Sequence, residues 1–329
     1  MTVINGMKFN ENEGALVADE QASTSHGRKY DTAEKLHDYS INGLILIVGG
    51  TGYSDILYDI SEDKFRKWFD NYEGNANKSE ITKNGPEHLI NNFNMIMLEK
   101  KRELIDGHLI SKYGLSEKDI QRGYRINENN ERDPIHENVT REYFERIQNP
   151  EKNLLIRNSF LALTNCENNL NMYEISMDCA KPRIIADNYC SLGSGSDAAD
   201  SELSSFFNDK TRAERWEGGI EKIDGIVALI NATETASLKN VGVGGLPYIK
   251  ILTNEKVITP SEYNTKLSTE IVKATKKGYL SEEFQNEAIS TLLFDGKGFE
   301  GVEKEMQKQS KDSKEMNLML RGYKTNGNK

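Results

Sequence analysis

The stretch "GLILIVGG" (residues 43–50) constrains this chain most. Between its glycines it is aliphatic throughout, and a short aliphatic run without alternation reads as a strand covered on both faces. Such a strand needs a layer of structure above it and another below. The N-terminus makes a similar demand. In "MTVINGMKF" the apolar residues Val3, Ile4, Met7 and Phe9 begin at once, which predicts a strand over residues 2–9. "GALVADEQAS" (14–23) reads as its partner across the short "NENEG" turn.

Helical spacing follows. Ile56, Leu57, Ile60, Phe65 and Trp68 recur with acids between them, closed by Gly74. "PEHLINNFNMIMLEKKRELI" (86–105) predicts a second helix with Pro86 near its first turn. Residues 106–150 are polar with few aliphatics, and read as an insertion of short helices and loops. Strand patterns return in "NSFLALTNCEN", "NMYEISMDC" and "RIIADNYCSLGSG". "SDAADSELSSFF" opens a helix with Ser196 or Asp197 as N-cap. A longer helix covers 219–238, a last strand lies in "GGLPYIKILTN", and two short helices fit 261–295. The tail from 303 is rich in Lys, Glu and Gln and is expected to fray. Strands and helices come in groups, without fixed-period repeats, so layered α+β is favoured over alternating βαβ units.

Charge narrows the function classes. Lys plus Arg is 42 and Asp plus Glu is 52, a formal net charge of −10. Nucleic-acid binding faces are usually basic, so a nucleic-acid partner is not expected. No apolar run approaches the ~20 residues that span a bilayer, and no membrane partner is expected. A basic n-region and an apolar h-region are missing at the start, so no signal peptide is read. The three cysteines, Cys166, Cys179 and Cys190, are widely spaced and form no CxxC pair, which suits a reducing cytoplasm.

Three patterns fail on inspection. "IVGGTGYSD" sits where a dinucleotide loop would, but Asp55 stands at the third glycine of G-x-G-x-x-G, where a carboxylate would repel a pyrophosphate. "GSGSD" lacks the G-x-S-x-G spacing of a nucleophile elbow. The five histidines include no HExxH and no close pair, so neither a metal nor any other cofactor is expected.

Thr2 remains. An initiator methionine is normally trimmed ahead of a small residue, which would leave a free α-amine beside a hydroxyl. An α-amine has a reference pKa of about 8, so near neutrality part of it is unprotonated and can act as base for its own hydroxyl. On its own a second-position threonine means nothing special. Its neighbourhood gives it weight: Asp19 ends the second strand in "ADEQAST", Lys35 stands in "EKL", and "VGGTGYSD" turns from strand to helix fourteen residues after Lys35. Later come "SLGSGSDAA" and "ALINATETASLKNVGVGGLPYIKILTN".

In this order, these motifs resemble the N-terminal-nucleophile hydrolases, specifically the proteasome β-subunit and HslV family, over about 2–70 and 155–256. The resemblance implies a four-layer αββα sandwich of two antiparallel sheets flanked by helices. It places that domain at 2–256, with 106–150 inserted and 257–329 as a helical C-terminal extension. It implies that Thr2 attacks a carbonyl while its amine accepts the proton. Lys35 lowers the pKa of both groups, and Asp19 keeps Lys35 charged and oriented. Gly49 donates an oxyanion N–H at a place where a side chain would crowd the substrate, and Ser194 holds the α-amine. Ala22 helps shape the first specificity pocket, and the backbone at Ser23 and Thr24 pairs with an extended peptide. The chain departs from the pattern at Asn240 and Val243, where the family has an aspartate and a serine.

The function so implied is a cytoplasmic threonine-type peptidase working through an acyl-enzyme on Thr2. Its substrate would be a peptide or protein, with self-association into rings and an unspecified ATPase partner. Alternatives are a non-catalytic structural subunit, a transpeptidase or ligase, and a small-molecule amidase of the same fold.

Overall fold

The N-terminal strand buries both of its faces, because strand side chains alternate sides and each side here meets a different apolar layer. The computed structural model describes every residue except Met1, Gln21, 24–28, 31–34, 76–77, Asn168, 212–213, 215–218, 241–242, Lys297 and 322–329. Two compact units divide the chain. The first is Met1–Thr51, Leu161–Tyr173 and Ile184–Lys329; the second is Gly52–Phe160 and Glu174–Arg183.

The chain opens with β1 (Val3–Lys8), β2 (Gly14–Asp19), β3 (Ala22–Ser23), β4 (Lys29–Tyr30), β5 (Leu36–Ile41) and β6 (Leu44–Thr51). Next come α1 (Ser54–Tyr58), α2 (Arg66–Asn75), α3 (Lys78–Tyr113), α4 (Glu117–Arg122), β7 (Tyr124–Ile126), β8 (Arg132–Pro134) and α5 (Glu137–Glu142). Then follow β9 (Ser159–Cys166), β10 (Asn169–Ser176), β11 (Arg183–Ile184), β12 (Tyr189–Gly193), α6 (Ser196–Asn208) and α7 (Lys222–Lys239). The last elements are β13 (Pro247–Leu252), β14 (Val257–Ile258), α8 (Glu262–Lys276), α9 (Glu282–Ile289), α10 (Phe299–Gln309) and α11 (Ser313–Leu320).

Two five-stranded sheets result, ordered β12-β1-β2-β13-β14 and β11-β10-β9-β6-β5. β1 lies antiparallel between β12 and β2, with Ile4 opposite Leu192 on one side and Ala18 on the other. β13 pairs antiparallel with β2 and sets Pro247 opposite Asp19. In the first unit the alternation sorts the side chains into two cores. Val3, Met7, Val17 and Ile249 face Ala199, Leu203, Ile226 and Leu229 of α6 and α7. Ile4, Leu16 and Ala18 face Leu36, Ile45, Ile47, Leu161 and Met172 of the other sheet. Each fully buried Leu or Ile contributes roughly 1.5–3 kcal/mol relative to exposure. The strands therefore cannot slip register by one residue without turning both cores inside out. The expected class, α+β with two antiparallel sheets and helices in the manner of an N-terminal-nucleophile sandwich, is the class found.

Three local expectations are corrected. α3 does not begin near Pro86 but runs through it, from Lys78 to Tyr113. Proline removes one helical hydrogen bond, yet the helix continues on both sides of it, and beyond Pro86 the residues Leu89, Ile90, Phe93, Met97, Ile105 and Leu109 are buried. The N-cap of α6 is Gly195, not Ser196 or Asp197, and it makes no side-chain cap. The tail beyond 303 does not fray where it is described. α10 and α11 form there because Met306 and Met316 are buried in the core shared with β1.

In the second unit, residues after α3 gather around their own small core of Leu109, Leu115, Ile120, Tyr143 and Ile147. Ser116 and Asp119 close a capping box at the start of α4. No helix among the described residues is long and apolar enough to cross a membrane, and none of them form a group of three or more His, Cys, Asp or Glu side chains placed to hold a metal ion.

Candidate active site

Three strand ends deliver the cluster. Thr2 stands immediately before β1 and is 6% exposed, Asp19 is the last residue of β2 and is 1% exposed, and Lys35 immediately precedes β5. Antiparallel pairing of β1 with β2 brings the first two together. The Val3 amide donates to Asp19 Oδ1 at 2.9 Å, and the Thr2 hydroxyl donates to the same oxygen at 2.5 Å. Lys35 Nζ donates to Asp19 Oδ1 at 2.7 Å and also to Thr2 Oγ1. The other carboxylate oxygen, Asp19 Oδ2, accepts the Gly244 amide at 3.1 Å.

Burial sets the electrostatics. The Lys35 ammonium is held below its ordinary pKa of 10.5, chiefly because it is desolvated; the Asp19 carboxylate, and then Glu20, oppose that shift. Removing either partner of such a buried pair leaves an uncompensated charge. The Gly50 amide donates to the Lys35 carbonyl at 3.1 Å, which ties the end of β6 to the lysine backbone.

The Thr2 backbone is held by the turn after β12. Thr2 N donates to Ser194 Oγ at 3.2 Å, and the Gly195 amide donates to the Thr2 carbonyl at 3.3 Å. Gly193, at φ +103°, makes the approach possible, since a Cβ there would lie 2.3 Å from the Thr2 carbonyl oxygen.

The structure thus brings Thr2, Asp19, Lys35 and Ser194 into one hydrogen-bonded group. Gly49, in β6, lies opposite Leu36. A Cβ there would fall 2.7 Å from Leu36 Cδ2 and 2.8 Å from Ile4 Cγ2, so the core between the sheets fills that space. Asn240 spends both its amide and its Nδ2 on the Ala236 carbonyl, finishing α7. Val243 is 3% exposed, in the core shared with Val3 and Ala236. Ala22 pairs with Tyr30 in a two-residue ribbon. The readings on Met1 and Thr24 fall outside the described residues. A cavity at the β1–β2 turn, lined by Asn10, Glu13, Lys210, Lys222 and Asp224 among others, includes none of the cluster.

Sequence reasoning missed the donors from Gly244, Gly195 and Gly50. A backbone N–H carries no residue signature, and Gly244 is 225 residues from Asp19.

The cluster holds a hydroxyl between an ammonium and a carboxylate, a few ångströms from its own residue's nitrogen. A hydroxyl placed in this way can be activated as a nucleophile.

Comparison with known proteins bears on the fold. No family model matches the chain, and no curated protein does. Among solved structures, a Gly-1 mutant of Anbu from Hyphomicrobium sp. strain MC1 superposes with a TM-score of 0.50 at 11% identity, covering 85% of this chain and 96% of that one. Anbu (ancestral beta-subunit) from Yersinia bercovieri gives a TM-score of 0.53 at 11% identity, covering 84% and 94%. The assignment to the proteasome β-subunit and HslV family is therefore corrected: no family model carries it, and the likeness found is to Anbu chains, at an identity that shows a shared fold and nothing finer.

Proposed function

We propose that this chain is a threonine-nucleophile amidohydrolase that cleaves peptide bonds through Thr2, once the bond ahead of Thr2 has been cut. One observation carries the reading: Thr2 Oγ1 accepts from Lys35 Nζ while donating to Asp19 Oδ1.

The freed α-amine of Thr2 takes the hydroxyl proton, directly or through a water, as Oγ1 attacks the substrate carbonyl carbon. The Lys35 ammonium stabilises the negative charge developing at Oγ1 and keeps the amine's pKa low. Collapse of the tetrahedral intermediate breaks the C–N bond, and the protonated amine returns its proton to the departing nitrogen. The product is an ester on Oγ1. Water then adds to that ester with the amine again as base, and releases the acid and the free hydroxyl. Ser194 Oγ, already paired with Thr2 N, holds the base in line.

Intact mass spectrometry after treatment with a β-lactone or an epoxyketone tests this. Loss of the Met1 mass together with one adduct, both localised to Thr2 and the adduct absent in Thr2→Ala, is the expected result. A chain that keeps Met1 and takes no adduct overturns the reading.

A further inference from the structure

We propose that Val243 is a positioning residue, which fixes the distance between the support of the Thr2 carbonyl and the clamp on Asp19. The inference rests on the Thr2 reading above and adds a residue to it.

Two backbone donors from outside β1 and β2 hold the cluster. The Gly195 amide reaches the Thr2 carbonyl at 3.3 Å, and the Gly244 amide reaches Asp19 Oδ2 at 3.1 Å. They come from separate loops, one entering α6 and one leaving α7, and among the described residues no hydrogen bond joins the two. Val243 does so by packing. Its main chain leads directly into Gly244, and its own amide is anchored on the Asn240 carbonyl at 3.1 Å. Its side chain is 3% exposed and closes on Gly195: a Cβ built on that glycine would sit 3.0 Å from Val243 Cγ2 and 3.1 Å from both Ala236 Cβ and Val3 Cβ. The last of these belongs to the residue that follows Thr2. One isopropyl group thus spans the turn under the nucleophile and the loop under the carboxylate.

Close-packed interiors transmit displacements of this size. Shrinking Val243 lets the Gly244 loop move away from Asp19 Oδ2; enlarging it drives Gly195 off the Thr2 carbonyl. Either change alters how much of the Asp19 charge is satisfied by backbone donors. An Asp19 that loses the Gly244 donor is a stronger negative neighbour for the Thr2 amine, and raises the pH at which that amine becomes a free base.

The test is the rate of adduct formation on Thr2 by a β-lactone, followed by intact mass across pH 6–10, in wild type, Val243→Ala and Val243→Ile. The expected result is at least a tenfold loss of rate in both variants. In Val243→Ala the pH midpoint of the rate also moves upward, a change that general loosening of the fold would not produce. The two variants perturb volume in opposite directions, so failure of one to fold leaves the other as the test. Wild-type rate and midpoint in the folded variant overturn the inference while the Thr2 reading stands. No adduct on wild type at any pH overturns both.

Discussion

Lys35 Nζ lies 2.7 Å from Asp19 Oδ1, with the lysine side chain 9% exposed and the aspartate 1%. So dry a pair is held together by what its loss would leave behind. Asp19→Ala strands a buried ammonium and also removes the acceptor used by Val3 N, Gly244 N and the Thr2 hydroxyl. The expected cost is about 3–5 kcal/mol, read as a lower midpoint in urea at an unchanged slope. Adduct formation on Thr2 should vanish in the same variant under conditions where it remains folded.

Lys35 also gives the fold a pH signature. Its folded-state pKa lies below the 10.5 of the free side chain. Between the two values the unfolded chain therefore binds more protons than the folded one, and stability contributed by this residue rises with pH across that window. The contribution is smallest below the folded value and complete above about 10.5. Unfolding free energies of wild type and Lys35→Met, compared from pH 7 to 10.5, should diverge in favour of wild type as pH increases. A difference that is flat or falls over that range would contradict it.

Much of this fold is legible because its signals are local. The aliphatic run at 43–50 and the alternation at 3–9 each specify a strand without reference to the rest of the chain, and β6 and β1 are found there. Thr2, Asp19 and Lys35 stand out through resemblance to known motifs; periodicity alone does not pair residues from three different strand ends. What stayed hidden is of two kinds. The clamp from Gly244 on Asp19 is a backbone contact, set by tertiary packing and written in no side chain. The tail is packed rather than frayed because two buried methionines, Met306 and Met316, outweigh a surrounding run of Lys, Glu and Gln that composition alone assigns to solvent. Pro86 carries a local helix-start signal, but α3 already begins eight residues before it, at Lys78.

Ser194 offers a milder perturbation of the same cluster. Its hydroxyl accepts from Thr2 N at 3.2 Å and donates to the Thr2 carbonyl at 3.4 Å. Ser194→Ala removes both bonds but leaves the Gly195 amide on that carbonyl. A stability loss of about 0.5–1.5 kcal/mol is expected. The rate of Thr2 acylation should fall by about tenfold, since the amine proposed as base loses its orientation. A variant as fast as wild type would mean that Gly195 alone suffices to hold Thr2.

The C-terminal helices make the last prediction, and it separates packing from decoration. Met306 of α10 is 1% exposed and Met316 of α11 is fully buried, in the core that also contains Val3 and Met7 of β1. Met306→Ala should cost about 2–5 kcal/mol, because the cavity adds to the lost transfer energy. Substituting Lys304, on the exposed side of the same helix, should change stability by less than about 0.5 kcal/mol. Thermal melts of the two single variants decide between the two roles: a tail that merely decorates the fold would give equal and negligible shifts, whereas a tail that completes the core behind β1 gives a large shift for the methionine alone.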